Sequence, residues 1–131
     1  VLCTRILSIE IAICRKIRNI KTAIIEELDN SGIDYSFNGN QKFCVDTTLN
    51  VSLHGVSSEA LMISTKQFCS ISNGSACTSK SYSPSYVLVA MGIDKDAIES
   101  SVRISWGPDT NLDDAKKAVA ELLKVAKQIK S

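Results

Sequence analysis

The sequence lacks the features that mark several large classes of protein. Its 15 Lys and Arg residues nearly balance 14 Asp and Glu residues, and a formal net charge of +1 gives little long-range attraction to nucleic acid or to an anionic membrane. No apolar run approaches the roughly 20 residues of a membrane-spanning helix, because Arg5 and Glu10 interrupt the apolar N-terminal segment. We therefore expect no direct nucleic-acid partner and no membrane partner.

Cysteine pairs and histidine are also scarce. The five cysteines form an odd number with irregular gaps and no C-x-x-C pair, which disfavours both a disulfide framework and a zinc site. Free thiols of this kind fit a reducing cytoplasm. The single histidine, His54, falls on the polar side of a predicted strand, where a surface role is the ordinary expectation.

The sequence does contain enough apolar residues for one folded unit. A length of 131 residues with 44% hydrophobic and 22% charged residues is ordinary for a globular domain, and there are no repeats, low-complexity tracts or interior linkers. We therefore expect one domain over residues 1–131.

The first half of the chain predicts a long helix followed by a strand and a second helix. Apolar residues spaced three and four apart predict a helix that Gly32 ends: Ile6, Ile9, Ile13, Ile17, Ile20, Ile24 and Leu28. The basic residues mostly off this stripe are predicted to form a solvated face: Arg15, Lys16, Arg18 and Lys21. Residues 33–46 are predicted to be irregular, with a short strand near 43–45. Alternation over 48–54 predicts a half-buried strand, and Ser57 is predicted to cap a helix through about Phe68.

The second half predicts a short helix, a strand and a long final helix. Ser83 is the expected N-cap and Pro84 the first residue of a helix closed by Gly92. A strand over 101–106 sends Val102, Ile104 and Trp106 to one side.

Thr110-x-x-Asp113 is similar to a capping box before the final helix, and Tyr86 and Trp106 are expected in the core. Together the elements predict an α+β fold, with a small, mainly antiparallel sheet and helices packed on one face.

The segment from Ser72 to Ser79, Ser-Asn-Gly-Ser-Ala-Cys-Thr-Ser, is the strongest candidate for chemistry. It places Cys77 among small residues that would not shield a sulfur atom, and a reactive thiolate needs exposure. The alternative is a loop cysteine that has no functional role. The other four cysteines lie in apolar or strand-like surroundings, where a free cysteine usually behaves as a small buried hydrophobe: Cys3, Cys14, Cys44 and Cys69.

The same segment, with Pro-Ser-Tyr-Val-Leu at 84–88, Gly92 and Ser-Ser-Val-Arg-Ile-Ser at 100–105, closely resembles the cysteine desulfurases, pyridoxal phosphate enzymes of the aminotransferase class V type. The resemblance covers most of the chain and implies the C-terminal small domain of such an enzyme. The motif Ser-Gly-His-Lys, whose lysine holds the cofactor in that family's large domain, is absent here. The chain is thus expected to be a fragment that begins at Val1 and is inactive alone.

The resemblance implies roles for particular residues. Cys77 matches the nucleophile that attacks the sulfur of pyridoxal-phosphate-bound L-cysteine, which yields L-alanine and an enzyme persulfide. Arg103 matches the arginine that binds the substrate carboxylate, against the alternative of a solvated strand arginine. Residues expected to position the loop are Asn73, Gly74, Ser75 and Thr78. Further implied partners are the protein's own large domain, a second subunit in a homodimer and a protein sulfur acceptor.

Two departures from the commonest family pattern bear on the acceptor. Asn73 stands where serine is frequent, and Trp106-Gly107-Pro108 replaces Leu-Gly-Arg. They favour a branch serving DNA phosphorothioation or transfer RNA thiolation over iron-sulfur cluster assembly. The alternatives to a desulfurase domain are a stand-alone, non-catalytic sulfur carrier that displays Cys77 and an inert structural domain.

Overall fold

The isoleucine stripe forms one long helix. The structure, a computed structural model, describes residues 2–73 and 84–130, with side chains from Ser8 onward. Helix α1 spans Leu2–Ser31, and Gly32 ends it with a φ of 71°, a conformation that favours glycine. Ile20, Ile24 and Leu28 are almost completely buried, as the spacing predicts.

The basic face of α1 is only partly solvated. Arg18 is exposed, with its Nε 3.2 Å from Asp46 Oδ2, but Lys21 is buried, which corrects the sequence expectation. The segment before β2 folds back over the helix at this point. The Lys21 Nζ therefore lies 3.5 Å from both Asp46 Oδ1 and the Val45 carbonyl oxygen, which compensate its charge.

The sheet has three antiparallel strands in the order β1-β2-β3. The strands are β1, Tyr35–Phe37; β2, Thr48–Leu53; and β3, Ser101–Ser105. Residues of β2 and β3 alternate between two faces, and the apolar face contributes Leu49, Val51, Val102 and Ile104 to the core shared with α1 and the last helix. Trp106 is buried as expected, and its indole N–H donates to the Ile17 carbonyl at 3.2 Å.

Four further helices complete the domain: α2, Ser58–Thr65; α3, Tyr86–Ala90; α4, Lys95–Glu99; and α5, Leu112–Ile129. Helix α5 packs beside α1 through its apolar face, including Val119 and Leu122. Helix α4, which the sequence pattern did not predict, lies against the other face of the sheet at Ser52. The fold is therefore α+β as predicted, with the two long helices together on one face.

The connection between α1 and β2 differs from its prediction. The strand there is β1 and not residues 43–45, where Phe43 is 87% exposed. The backbone of Phe43 instead closes a turn by donating to the Asn40 carbonyl at 3.0 Å. Pairing of Tyr35 with Leu53 fixes the strand position, and this contact between distant residues has no local sequence signal.

Three helix starts or ends also differ from their predictions. Helix α3 begins at Tyr86 with Ser85 at its N-cap position, while Ser83 lies outside the described residues. Tyr86 is 84% exposed, so its assignment to the core is wrong; Leu88 is the buried residue of this short helix. Helix α2 is capped by Ser57 as predicted, but it ends at Thr65 and not near Phe68.

The N-cap of α5 is Asn111, one residue after the predicted Thr110. Its Oδ1 accepts hydrogen bonds from the backbone N–H groups of Asp113 at 2.8 Å and Asp114 at 3.3 Å. Thr110 Oγ1 is engaged elsewhere, because it accepts from the Gly107 N–H at 3.0 Å. In the described ranges, no helix is both long enough and apolar enough to cross a membrane.

We predict that Asn111→Ala lowers the free energy of unfolding by about 1 kcal/mol, since it leaves two N–H groups at the start of α5 without their acceptor. Asn111→Asp, which keeps an acceptor oxygen, is the matched control and should remain near the parent. Denaturant unfolding measures both. Equal stability of the alanine variant and the parent would contradict the cap assignment.

We also predict a late-titrating tyrosine. Burial, together with the hydrogen bond from the phenol to Asp29 and the charge of Asp29, raises the pKa of Tyr35 to about 12. A folded-state pKa above the unfolded value gives a stabilisation that is complete below about pH 10 and is lost as the pH rises towards 12. A pH titration of tyrosinate absorbance should show one ionisation near pH 12 in the parent. This ionisation should be absent in Tyr35→Phe. In Asp29→Asn it should shift to lower pH; an unchanged titration there would contradict the assignment.

Candidate active site

Arg103 projects from the face of the sheet opposite the helical core. On β3 its neighbours Val102 and Ile104 point into the core, so alternation turns Arg103 outward, where it is exposed. None of the ion pairs or side-chain hydrogen bonds between described residues involves its guanidinium group. The group is therefore available to an anion from outside the described part of the chain.

The segment that leads towards Cys77 is attached to the strand at Arg103. Ser72 forms an antiparallel bridge with Arg103, in which the Ser72 N–H donates to the Arg103 carbonyl at 3.1 Å and the Arg103 N–H donates to the Ser72 carbonyl at 2.6 Å. Because both backbone groups of Arg103 face Ser72, its pairing with Asn50 on β2 has no backbone hydrogen bonds of its own. Ser72 and Arg103, which are 31 positions apart in the sequence, are thus direct neighbours in the fold.

Not all of the predicted site residues can be placed. Asn73 directly follows the bridge and is half-buried. Gly74, Ser75, Cys77 and Thr78 lie outside the described residues. The structure therefore joins Arg103 to the start of the cysteine segment, while the position of Cys77 remains a prediction.

A buried polar network lies beside Arg103 on the same face. The two N–H groups of Asn38 Nδ2 donate to Asn50 Oδ1 and Ser52 Oγ, both at 2.9 Å, and the same nitrogen lies 3.1 Å from Ser101 Oγ. Ser101 Oγ in turn donates to Asn50 Oδ1 at 2.8 Å. Motif reasoning missed these residues; the available signal was polar residues at every second position of both strands.

His54 takes no part in this group. It follows the last residue of β2, is half-buried, and its backbone N–H donates to the Asp34 carbonyl at 2.9 Å. It lies four positions after Asn50 in the chain, so it belongs to the far end of the strand. The expectation of a non-catalytic role stays a prediction.

Two of the other four cysteines contradict the expectation of buried hydrophobes, one partly agrees with it and one is not tested. Cys14 and Cys44 are exposed, and Cys69 is half-buried; the side chain of Cys3 is outside the described set. Cys14 occupies the outer side of α1, and Cys44 lies in the turn after Asn40, whose carbonyl accepts a hydrogen bond from its Sγ at 3.1 Å. Burial raises the pKa of the Cys69 thiol, although a hydrogen bond with Thr65 acts in the opposite direction.

The described residues do not fit a phosphate-bearing cofactor. A mostly apolar cavity of about 290 Å³ has Asp114 as its charged residue, and a cavity of about 350 Å³ has Asp96 and Glu99. Among the described residues, neither is lined by Lys or Arg. A cavity of about 180 Å³ holds Lys124 and Lys127 beside Glu27, but it belongs to the helical layer, across the sheet from Arg103. A phosphate monoester needs converging cationic or N–H donors. Nor does any cluster of three or more potential metal ligands occur in the described ranges.

Known proteins are similar to this chain in sequence and in fold. A protein of Neisseria meningitidis serogroup A named cysteine desulfurase IscS is 40% identical over 110 residues, which is 84% of this chain and 26% of that protein. A Pseudomonas entomophila protein of the same name is 39% identical over 93 residues, 71% of this chain and 23% of the relative. The chain is a relative of the cysteine desulfurases.

The comparison of folds agrees with this relation. A solved structure of a NifS-like protein superposes with a TM-score of 0.72 at 16% identity, over 88% of this chain and 28% of the other. No family model matches the sequence. The chain thus spans about a quarter of the length of the cysteine desulfurases that it matches.

We predict that thiol reagents at neutral pH label Cys14 and Cys44 several-fold faster than Cys69, because Cys69 is less accessible and its raised pKa reduces the thiolate fraction. Peptide mass spectrometry after short labelling times gives the rate at each site. In denaturant, where burial is lost, the three rates should converge. Labelling of native Cys69 as fast as Cys14 would contradict the assignment.

Proposed function

We propose that this chain is the C-terminal small domain of a pyridoxal-phosphate-dependent cysteine desulfurase, in which Cys77 accepts sulfur and Arg103 binds the carboxylate of L-cysteine. The observation that carries the proposal is the bridge between Ser72 and Arg103. It ties the segment leading to the nucleophile to the strand that carries the substrate-binding cation. The bridge supports the proposal because a shared site requires these two segments to be neighbours.

The short segment between Ser72 and Cys77 supports a site that Cys77 and Arg103 share. Cys77 follows Ser72 by five residues, so their Cα atoms can be at most about 18 Å apart in any conformation of the intervening chain. That range includes a substrate held by Arg103 as well as positions nearer to an acceptor. A tethered nucleophile of this reach can collect sulfur at one place and deliver it at another.

The proposed reaction conserves atoms and electrons. The Cys77 thiolate attacks the sulfur of L-cysteine and forms a new S–S bond, while the Cβ–S bond of the substrate breaks and its electron pair remains on carbon. That carbon takes up a proton, which gives L-alanine, and Cys77 becomes a persulfide. Arg103 fixes the substrate through two parallel N–H···O bonds to the carboxylate.

The pyridoxal phosphate would be held outside this chain. Two of the described cavities lack cationic donors for its phosphate, the cavity with Lys124 and Lys127 lies across the sheet from Arg103, and the sequence lacks the lysine motif of the family. We assign the cofactor to a large domain of the same protein, acting as a homodimer in the cytoplasm, where the nucleophilic thiol stays reduced. A protein thiol would then receive the sulfur.

The deciding experiment measures alanine release from L-cysteine by the full natural open reading frame with pyridoxal phosphate. Cys77→Ala should abolish turnover, whereas Cys14→Ala, at an exposed site of α1, should leave it intact. Arg103→Lys should raise KM for L-cysteine by about tenfold or more, because the bidentate contact to a charged group is lost.

Alanine release by Cys77→Ala at the parent rate would overturn the role of Cys77. If the parent made no alanine but accepted persulfide from another desulfurase, the protein would be a sulfur carrier.

A further inference from the structure

The polar network on the outer face of the sheet is closed at one end by a backbone carbonyl. Ser52 Oγ lies 2.6 Å from the carbonyl oxygen of Ala97 in α4 and 3.2 Å from Asn38 Oδ1. A carbonyl can only accept, so the single hydroxyl hydrogen of Ser52 is directed to Ala97, the shorter contact. The Ser52 oxygen must then accept from Asn38.

The donor and acceptor roles of Ser52 and Asn38 also fix those of Asn50. Asn38 presents its Nδ2 group to Ser52, and the same group reaches Asn50 at 2.9 Å. Asn50 must therefore present its Oδ1 to the network, where it also accepts from Ser101. With its oxygen turned inward, Asn50 has an outward Nδ2 group with two N–H donors.

The free donors of Asn50 lie on the side of Arg103. Asn38 occupies the β1 side of Asn50, and Ser101 lies towards α4, so the directions left open are those of Arg103 and Thr48. Asn50 and Arg103 stand directly opposite each other in a pair without backbone hydrogen bonds, where side chains are closest, about 4.5 Å between Cα atoms.

Despite this proximity, no hydrogen bond joins the two side chains. An Asn50 oxygen turned towards Arg103 would accept from the guanidinium group, but that oxygen is held by Asn38 and Ser101. Neither Asn50 Nδ2 nor the guanidinium group bonds to another side chain among residues 8–73 and 84–130. The pair thus presents two donors side by side, and one acceptor group placed between them would bind both.

We propose that Asn50 Nδ2 is a second donor to the carboxylate that Arg103 binds, held in its donating orientation by Asn38, Ser52 and the Ala97 carbonyl. The ligand class is a small α-amino acid or other carboxylate whose two oxygens span both donors. The inference rests on the proposed function for the identity of the substrate, but binding of a carboxylate at this pair can be tested on its own.

The test is an NMR titration of the ¹⁵N-labelled 131-residue chain with propionate, and with propylamine as the probe that lacks a carboxylate. Propionate should shift the Asn50 Nδ2 and Arg103 Nε signals together with one dissociation constant. Propylamine should shift neither signal.

The decisive variant is Asn50→Asp. It keeps the shape and an inward-facing acceptor oxygen, but it replaces the outward NH₂ group by a negatively charged oxygen that competes for Arg103. We expect at least a tenfold loss of propionate affinity at Arg103. Asn50→Ser tests loss of the donor without a new charge and should weaken binding about tenfold.

Thr48→Ala is the matched control. Thr48 lies on the same face of β2, two residues from Asn50, and its Oγ1 contacts Ser105 Oγ at 3.2 Å and not the network. It should bind propionate like the parent. Unfolding curves of all variants identify those that remain folded at the titration temperature.

Two results would overturn the proposal: a shift of Arg103 Nε without Asn50 Nδ2, or unchanged propionate affinity in a folded Asn50→Ser. No response of either signal to propionate would overturn it as well. In the full-length protein, Asn50→Ser should raise KM for L-cysteine more than it lowers kcat. Persulfide formation on Cys77 tests the proposed function separately, so the two can fail independently.

Discussion

The antiparallel register of β2 against β3 is the constraint on which the rest of the domain depends. The pairing sets Val51 opposite Val102 and Asn50 opposite Arg103. Because successive side chains in a strand alternate between faces, a slip of one residue would turn the apolar set to the outside and bury Arg103 in the core. Burial of the apolar face against α1 and α5 therefore selects one register. That register then decides which polar residues share the outer face.

The outer face combines buried and exposed polar groups in a particular order. Ser52 and Ser101 are almost completely buried beneath α4, Asn50 is half-buried, and Arg103 is exposed. A buried polar group without a partner costs about 1–3 kcal/mol, so the inner members of this series must satisfy one another. Their mutual hydrogen bonds orient the outermost amide. The same hydrogen bonds thus satisfy the buried polar groups and orient the donors at the surface.

The relation to the cysteine desulfurases gives this arrangement a context. The chain matches about a quarter of those proteins, and its described cavities do not suit a phosphate-bearing cofactor. Under the proposed function, the catalytic site is divided between this chain and a large domain outside it. In this chain the sheet carries Arg103, and the bridge between Ser72 and Arg103 links the sheet to the segment whose sequence continues to Cys77.

Local patterns in the sequence were sufficient for the elements whose signal is short-range. The spacing of isoleucines predicted α1, alternation predicted β2 and β3, and Ser57 predicted the start of α2. Each of these signals comes from residues that are only a few positions apart in the sequence. The motif around Cys77 and Arg103 likewise led to the family. The pattern did not reveal β1, the burial of Lys21 or the exposure of Tyr86.

These missed features depend on contacts between distant parts of the chain. Strand β1 is fixed by pairing with β2, and Lys21 is buried because Asp46 folds over it. The orientation of Asn50 depends on a carbonyl of α4, 47 positions away. The sequence by itself determined which residues favour a helix or a strand. Only the tertiary structure decided which of them meet, because hydrogen bonds and burial act through space and not along the chain.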